Sequence, residues 1–173
     1  MGTYDYTSGS KSENAKMLAY AEAHNVFVLK RKFTGNVALA SDSTLTTNGK
    51  FTTGDIMKII GMPDDTLVLL GGVKILAAWS CTDLDMGRAG GDEIFDGYDI
   101  SAGTVGDHKI TAVGDDWGAN SLMGYVFTAA DTIDIKFTGA DETYVTAGGN
   151  NCQGLFWVLC ADVSDISVDE FLD

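Results

Sequence analysis

The stretch that decides the fold is residues 54–80, GDIMKIIGMPDDTLVLLGGVKILAAWS. Two strongly apolar runs, at 56–60 and 66–79, are separated by a polar stretch that contains Pro63, the single proline of the chain. Proline fixes its own backbone angle, and the two aspartates after it suit a tight turn. Each run is shorter than the roughly 20 apolar residues of a membrane helix. We therefore predict a strand, a turn and a long buried strand.

Two later stretches have the same character. Residues 129–137, AADTIDIKF, alternate three apolar side chains with two charged ones, which places them on opposite faces of a strand. Residues 154–163, GLFWVLCADV, are nearly all apolar and of strand length. Further predicted strands lie at 108–113 and 121–128, and one ends near residue 87. Residues 26–33 and 36–40 are predicted to form one or two strands, or an arm that pairs with a neighbour. About eight short strands with no helix among them predict an all-β antiparallel sandwich, with a jelly roll as the leading topology.

The chain divides into three parts in this interpretation. Residues 1–50 form an N-terminal arm, with a short helix predicted at 12–23. Residues 51–165 form the β-sandwich body, and residues 166–173 form an acidic C-terminal tail. We find neither a secretory signal nor a membrane span, and we predict no membrane partner.

The net charge of −14 is unevenly distributed. Residues 1–58 carry a net charge of +2 and residues 59–173 a net charge of −16. An acidic body repels nucleic acid, so we predict no nucleic-acid partner. Lys30, Arg31 and Lys32 stand in a row and are candidate contacts for an acidic partner; the plainer interpretation is a solvated strand end.

No assembled catalytic site is recognisable, and we predict that the protein is not an enzyme and uses no cofactor. The chain lacks a nucleophile elbow, a Walker A loop and an HExxH zinc motif. Its two histidines, His24 and His108, are expected at the surface. The odd number of cysteines, three, argues against a disulfide framework and for buried thiols in a reducing compartment.

Six carboxylates cluster between residues 83 and 99: Asp83, Asp85, Asp92, Glu93, Asp96 and Asp99. Carboxylate oxygens attract calcium, but the EF-hand pattern counted from residue 83 has Arg and Ile where Gly and Glu are required. Turn-forming and solubilising roles are the simpler interpretation, so we assign no metal ligand, and calcium binding stays open.

The three tryptophans call for different predictions. Trp79 and Trp157 lie in apolar runs and are expected in the core. Trp117, in GDDWG, is expected to be exposed, where it would stack on a sugar or anchor a protein contact; the alternative is a loop residue that folds back on the core.

The order of these elements resembles a pattern in small virion proteins of tailed phages, described as head decoration, cement or minor capsid proteins. The resemblance rests on residues 55–63, 65–68, 71–73, 84–87, 129–134 and 161–163, and it covers about residues 51–165. It implies a jelly-roll-like body, commonly trimeric, bound to the major capsid protein on the outside of an icosahedral shell. The protein would then be made in the host cytoplasm and located at the capsid surface. The family supplies no catalytic residues.

Two functional hypotheses follow. In the first, the protein is a decoration protein that stabilises the assembled capsid, and residues 1–40 carry much of the contact. In the second, it is a carbohydrate-binding or adhesion module of a virion spike or fibre. That hypothesis requires Trp117, or Tyr98 and Tyr125, exposed on one face.

Overall fold

The computed structural model describes residues 3–5, 26–40, 50–110, 124–139, 142–143 and 152–164, and its regular structure is nearly all β. The predicted helix at 12–23, the tail at 166–173 and Trp117 lie outside these ranges. Within them, no helix is long and apolar enough to cross a membrane.

Twelve strands are described, together with one short helix and a turn of 3-10 helix at Ile100–Ala102. The strands are β1 (Thr3–Asp5), β2 (Val26–Thr34), β3 (Lys50–Phe51), β4 (Ile56–Met62), β5 (Thr66–Ala77), β6 (Leu84–Arg88), β7 (Phe95–Tyr98), β8 (His108–Ile110), β9 (Val126–Phe127), β10 (Asp131–Phe137), β11 (Glu142–Thr143) and β12 (Gln153–Asp162). The helix, α1, is Gly35–Ala40.

Two sheets form the body. The β4 sheet has the order β1-β4-β10-β6-β7, and the β12 sheet has the order β2-β12-β5-β8, with β9 also paired to β5. All pairs in the two sheets are antiparallel except β1 with β4. A separate pair joins β3 and β11. The predicted antiparallel β-sandwich is confirmed.

The pairing of the eight main strands is nested. β2 pairs with β12, β4 with β10, β5 with β8 and β6 with β7, so that the first strand meets the last and the two middle strands meet each other. A long hairpin folded over into two four-stranded sheets gives this order, which is that of a jelly roll. The leading topology predicted from the sequence is the one the structure has.

An interruption marks the edge of the β12 sheet. β8 pairs with β5 at Gly72–Lys74, and β9 pairs with the same edge of β5 at Thr66 and Leu67. Residues 111–123 connect the two and lie outside the described ranges. Of the predicted strands 108–113 and 121–128, the structure describes β8 and β9 as two pieces of one sheet edge, and residues 111–113 and 121–123 lie outside the described ranges.

Aromatic side chains from both sheets fill the space between them. Trp79 stacks on Phe33 with ring centroids 5.4 Å apart, and Phe51 stacks on Phe137 at 4.9 Å. The indole Nε1 of Trp79 donates a hydrogen bond to the carbonyl oxygen of Gln153 at 3.0 Å, which satisfies its polar group inside the core. The prediction that Trp79 is a core residue is confirmed.

β2 is a strand of the β12 sheet and lies within residues 1–50, the predicted N-terminal arm. Its nine residues pair along their full length with β12, and Phe27, Leu29 and Phe33 enter the core. These three side chains gain their burial only when β2 joins the sheet, so the body includes residues 26–34. The predicted strand at 36–40 is wrong, because α1 occupies these residues and buries Ala38. A five-residue apolar pattern fits either structure.

The three cysteines are buried and are not joined in disulfides. Burial raises the pKa of the Cys160 thiol to about 12, so this group stays protonated and unreactive at neutral pH. Their predicted role as small buried side chains is confirmed.

Candidate interaction surface

The outward side of the β12 sheet is the candidate site, and we call it the lysine face. Strand alternation defines it: β2 turns Phe27 and Leu29 inward and Val26 and Val28 outward, and β12 alternates in the same way. The face is made of the outward residues of β2, β12, β5 and β8.

Apolar side chains dominate the lysine face. Val26 is 57%, Val28 37% and Ile110 46% exposed. Partly exposed apolar side chains surround them: Leu155, Trp157, Leu159, Leu67 and Leu70. The outward side of a solvated antiparallel sheet is normally polar, so a contiguous apolar surface of this kind indicates an interaction site.

The strand register arranges this surface from an apolar end to a basic end. Leu159 lies between Val28 on β2 and Leu70 on β5. Four residues earlier on β12, the partners of Leu155 are Lys32 and Lys74. Neighbours on one face of paired strands are about 5 Å apart, so two ammonium groups flank the basic end.

Trp157 lies midway between the two ends. Its cross-strand partners are Lys30 on β2 and Gly72 on β5. A Cβ added to Gly72 would stand 3.0 Å from the Trp157 ring and 2.4 Å from the carbonyl oxygen of Lys109. The glycine therefore lets the indole lie close against the sheet, where it offers a flat, partly exposed aromatic surface.

The charge of this face is opposite to that of the whole chain. The outward residues of its paired strands include Lys30, Lys32, Lys74 and His108, and no Asp or Glu is among these described positions. In a chain of net charge −14, the described outward strand positions of this face are thus without a carboxylate. Apolar area combined with flanking positive charge fits a protein partner with an acidic surface.

The opposite face, on the β4 sheet, is built differently. The connection between β6 and β7 folds over it, so that a Cβ on Gly90 would stand 2.4 Å from the Ile56 side chain. Asp134 lies beneath this cover and is 2% exposed; Thr132 Oγ1 donates a hydrogen bond to its Oδ1 at 2.7 Å. Burial raises the Asp134 pKa to about 6, against the opposing effects of Thr132, Lys58 and a Gly90 backbone hydrogen bond.

The three predicted contact residues on β2 are separated by strand alternation. Lys30 and Lys32 point outward and are exposed, whereas Arg31 points to the inner side and is partly buried. The structure pairs Lys30 with Trp157, a residue that is predicted from the sequence to lie in the core. That prediction for Trp157 is wrong, because β12 is apolar on both sides and its alternation does not reveal which side is inward.

The carboxylates of Asp85 and Asp99, two of the six between residues 83 and 99, are engaged in local structure. Asp85 Oδ1 accepts hydrogen bonds from Gly97 N–H at 2.9 Å and Thr138 Oγ1 at 3.2 Å, and its Oδ2 lies 3.7 Å from Lys136 Nζ. Asp99 caps the 3-10 turn, and hydrogen bonds from the Ser101 side chain and nearby backbone lower its pKa. Among the described residues, no three His, Cys, Asp or Glu side chains are grouped as a metal ion would require.

Tyr98 and Tyr125 do not form an exposed aromatic platform. Both are partly buried and pack against the core cluster. Tyr98 meets Phe95 edge-on at 5.8 Å, and Tyr125 meets Phe127 edge-on at 5.1 Å while its hydroxyl bonds to Arg88. Neither tyrosine therefore has the exposed ring that the sugar-binding hypothesis requires of this pair.

No protein-family model matches the chain, and no curated protein matches it. A chain of the "Cyanophage Pam1 capsid asymmetric unit" is similar, with 16% identity and a TM-score of 0.47 over 80% of this chain and 85% of that one. A chain of the "Capsid of Ralstonia phage GP4" is similar with 11% identity and a TM-score of 0.49, over 80% and 84%. Likeness at this level assigns no function to the chain.

Proposed function

We propose that the protein is a structural component of a phage virion, a decoration or cement protein that binds the outside of an icosahedral capsid and stabilises it. The lysine face carries this proposal, because it offers an acidic partner a contiguous apolar surface flanked by positive charge. The resemblance of residues 51–165 to phage decoration proteins names the partner as the major capsid protein. The same resemblance implies a homotrimer.

The stabilisation follows from mass action. A protein that binds only the assembled shell shifts the equilibrium toward assembly by its binding free energy. The acidic remainder of the chain would face solvent and repel packaged or free nucleic acid. The N-terminal arm contributes a further contact through residues 1–25, while Lys30 and Lys32 act from the body strand β2.

Co-sedimentation with empty capsids tests the proposal. The wild-type chain is expected to saturate the capsids at a fixed ratio. Lys30→Glu/Lys32→Glu is expected to weaken binding at least tenfold, because two attractions become repulsions, and Lys30→Arg/Lys32→Arg is expected to bind normally. Lys30 and Lys32 both project outward from β2, so these substitutions are not expected to unfold the protein, and circular dichroism checks that each variant is folded.

A second matched pair of variants tests the apolar part of the lysine face. Val26→Ser/Val28→Ser is expected to weaken capsid binding, whereas Val37→Ser, at an exposed valine of α1, is expected to leave it unchanged. Equal binding by all these variants would refute the assignment of the face. Glycan binding that is lost in Trp117→Ala or Trp157→Ala, without capsid binding, would favour the adhesion hypothesis instead.

A further inference from the structure

The chain leaves the β12 sheet next to the apolar end of the lysine face. Ala161 points outward there, between Val26 on β2 and Leu67 on β5. β12 ends at Asp162, and the backbone N–H of Val163 donates a hydrogen bond to the carbonyl oxygen of Asp65 at 2.9 Å. Whatever follows Ser164 therefore starts beside the apolar surface.

The sequence that follows complements this face. Residues 165–173, DISVDEFLD, hold four carboxylates, no Lys or Arg, and four large apolar side chains. We propose that this acidic segment binds in cis across the lysine face, with its apolar side chains against Leu159 and Trp157 and its carboxylates near Lys30, Lys32 and Lys74. Each partner supplies what the other lacks: negative charge for the lysines and apolar cover for the sheet.

The length of the segment allows this contact. Nine extended residues reach about 30 Å. From Ala161 back to Leu155 is six residues along β12, about 20 Å at the rise of a strand. Residues 169 and 170 lie at most about 17–20 Å of extended chain from Ser164, so their carboxylates reach Lys30 beside Trp157, and the carboxylate of residue 173 reaches the basic end. A short covalent link also gives an effective concentration in the millimolar range, so weak individual contacts suffice.

Two other segments also border the face, and both complement it less well. Residues 6–25 precede Val26 and have two Lys balanced by two Glu. Residues 111–123 follow Ile110 and have two Asp in thirteen residues. The segment 165–173 has twice as many carboxylates in nine residues, and it is the segment with the best charge match to the lysines.

Binding of the acidic segment to the lysine face does not depend on the proposed function. Only its effect on capsid binding rests on that function. If the capsid and the acidic segment bind the same surface, only molecules with an uncovered face can bind the capsid. The apparent affinity for the capsid is then the intrinsic affinity multiplied by the uncovered fraction. The covered form protects the apolar surface from non-specific association in free protein. Docking then exchanges the segment for the capsid.

Binding of a labelled peptide with the sequence of residues 165–173 tests the proposal in the absence of capsids. The receptor is the full chain, either wild-type or with the neutralised segment Asp165→Asn/Asp169→Asn/Glu170→Gln/Asp173→Asn. The neutralised chain is expected to bind the peptide at least tenfold more tightly than wild type in fluorescence anisotropy, because its own segment no longer competes. Adding Lys30→Glu/Lys32→Glu to it is expected to abolish binding, and Lys30→Arg/Lys32→Arg is expected to retain it.

Three results would overturn the proposal. Equal peptide affinity for the wild-type and neutralised chains would show that no segment competes in cis. Absence of peptide binding to the neutralised chain would show that the face does not recognise this sequence. A fall in solution mass on neutralising the segment would assign the contact to a second copy. Because none of these measurements uses capsids, peptide binding together with failed capsid binding would refute the proposed function alone.

Discussion

At the scale of single residues, Asp134 gives the fold a defined response to pH. Its pKa rises from 3.8 to about 6 because burial disfavours the charged carboxylate. A group with a raised folded-state pKa favours the folded state fully below its unfolded pKa, and this contribution is lost as pH rises through about 6. The shift corresponds to about 3 kcal/mol between pH 4 and pH 7.

We expect Asp134→Asn to remove this pH dependence. The neutral amide keeps a hydrogen-bonding group beneath the β6–β7 connection and is not charged at pH 7. Thermal melts at pH 4.5 and 7.5 should show that the variant gains stability relative to wild type mainly at pH 7.5. Asp64→Asn, at an exposed turn position, serves as the control and should show no such difference. Equal effects of Asp134→Asn at the two pH values would contradict the assignment.

Substitutions at two glycines with positive φ distinguish the destabilising effect of backbone strain from that of steric crowding. Gly90 has φ +73° and a Cβ there would stand 2.4 Å from Ile56, whereas Gly97 has φ +54° and open space around it. We expect Gly97→Ala to lower the free energy of unfolding by about 1 kcal/mol through strain alone. Gly90→Ala should lower the free energy of unfolding by about 1–3 kcal/mol more than Gly97→Ala, because its new methyl group also clashes with Ile56. Urea unfolding measures the change in the free energy of unfolding for both variants. Equal losses would contradict the prediction, because they would mean that the β6–β7 connection moves away from Ile56 at no cost.

At the scale of elements, β2 is the strand whose place is most informative. It lies at the edge of the β12 sheet, yet it supplies Leu29 and Phe33 to the core, both with no exposed surface. Losing such side chains typically costs 2–5 kcal/mol each, a large part of the stability of a domain. The strand is thus both a structural element of the body and a carrier of the exposed lysines.

Two truncations test this role. A chain that begins at residue 26 is expected to melt cooperatively, because the described structure that it loses is the three-residue strand β1. A chain that begins at residue 41 is expected not to fold, because β12 would lose its partner along nine residues. Circular dichroism melts distinguish the outcomes. Cooperative melting of the shorter chain would show that β2 is an accessory strand.

At the scale of the whole molecule, charge is sorted by face. The chain has net charge −14, and the lysine face collects positive and apolar side chains on one side of the sandwich. Self-repulsion among acidic side chains favours solubility, and in the proposed function the lysine face is the side of the molecule that binds the capsid.

The proposed trimer is tested by solution mass. Three copies of the 18.3 kDa chain have a mass of about 55 kDa, and multi-angle light scattering should report this value across a range of concentrations. A mass of one chain at all concentrations would contradict the trimer while leaving capsid binding to be judged by co-sedimentation. As an internal control, the charge-preserving variant Lys30→Arg/Lys32→Arg should have the same mass as wild type.

The sequence by itself determined the strands and their class. Alternation in 129–137, the proline turn after 56–60 and the apolar runs at 66–79 and 154–163 are local patterns, and strand periodicity can be read from them without knowledge of partners. These patterns were enough to predict a sandwich and a jelly roll. They also showed Lys30, Arg31 and Lys32 as a charged group.

Only the tertiary structure decided which side of each strand faces inward. β12 is apolar on both sides, so its pairing with β2 and β5 was needed to show that Trp157 points outward and meets Lys30 and Gly72. The same pairing showed that β2 is a strand of the β12 sheet. It also showed that Arg31 points to the side of the strand opposite to Lys30 and Lys32. The physical reason is that burial depends on what covers a strand, and in this fold the covering strands are far away in sequence.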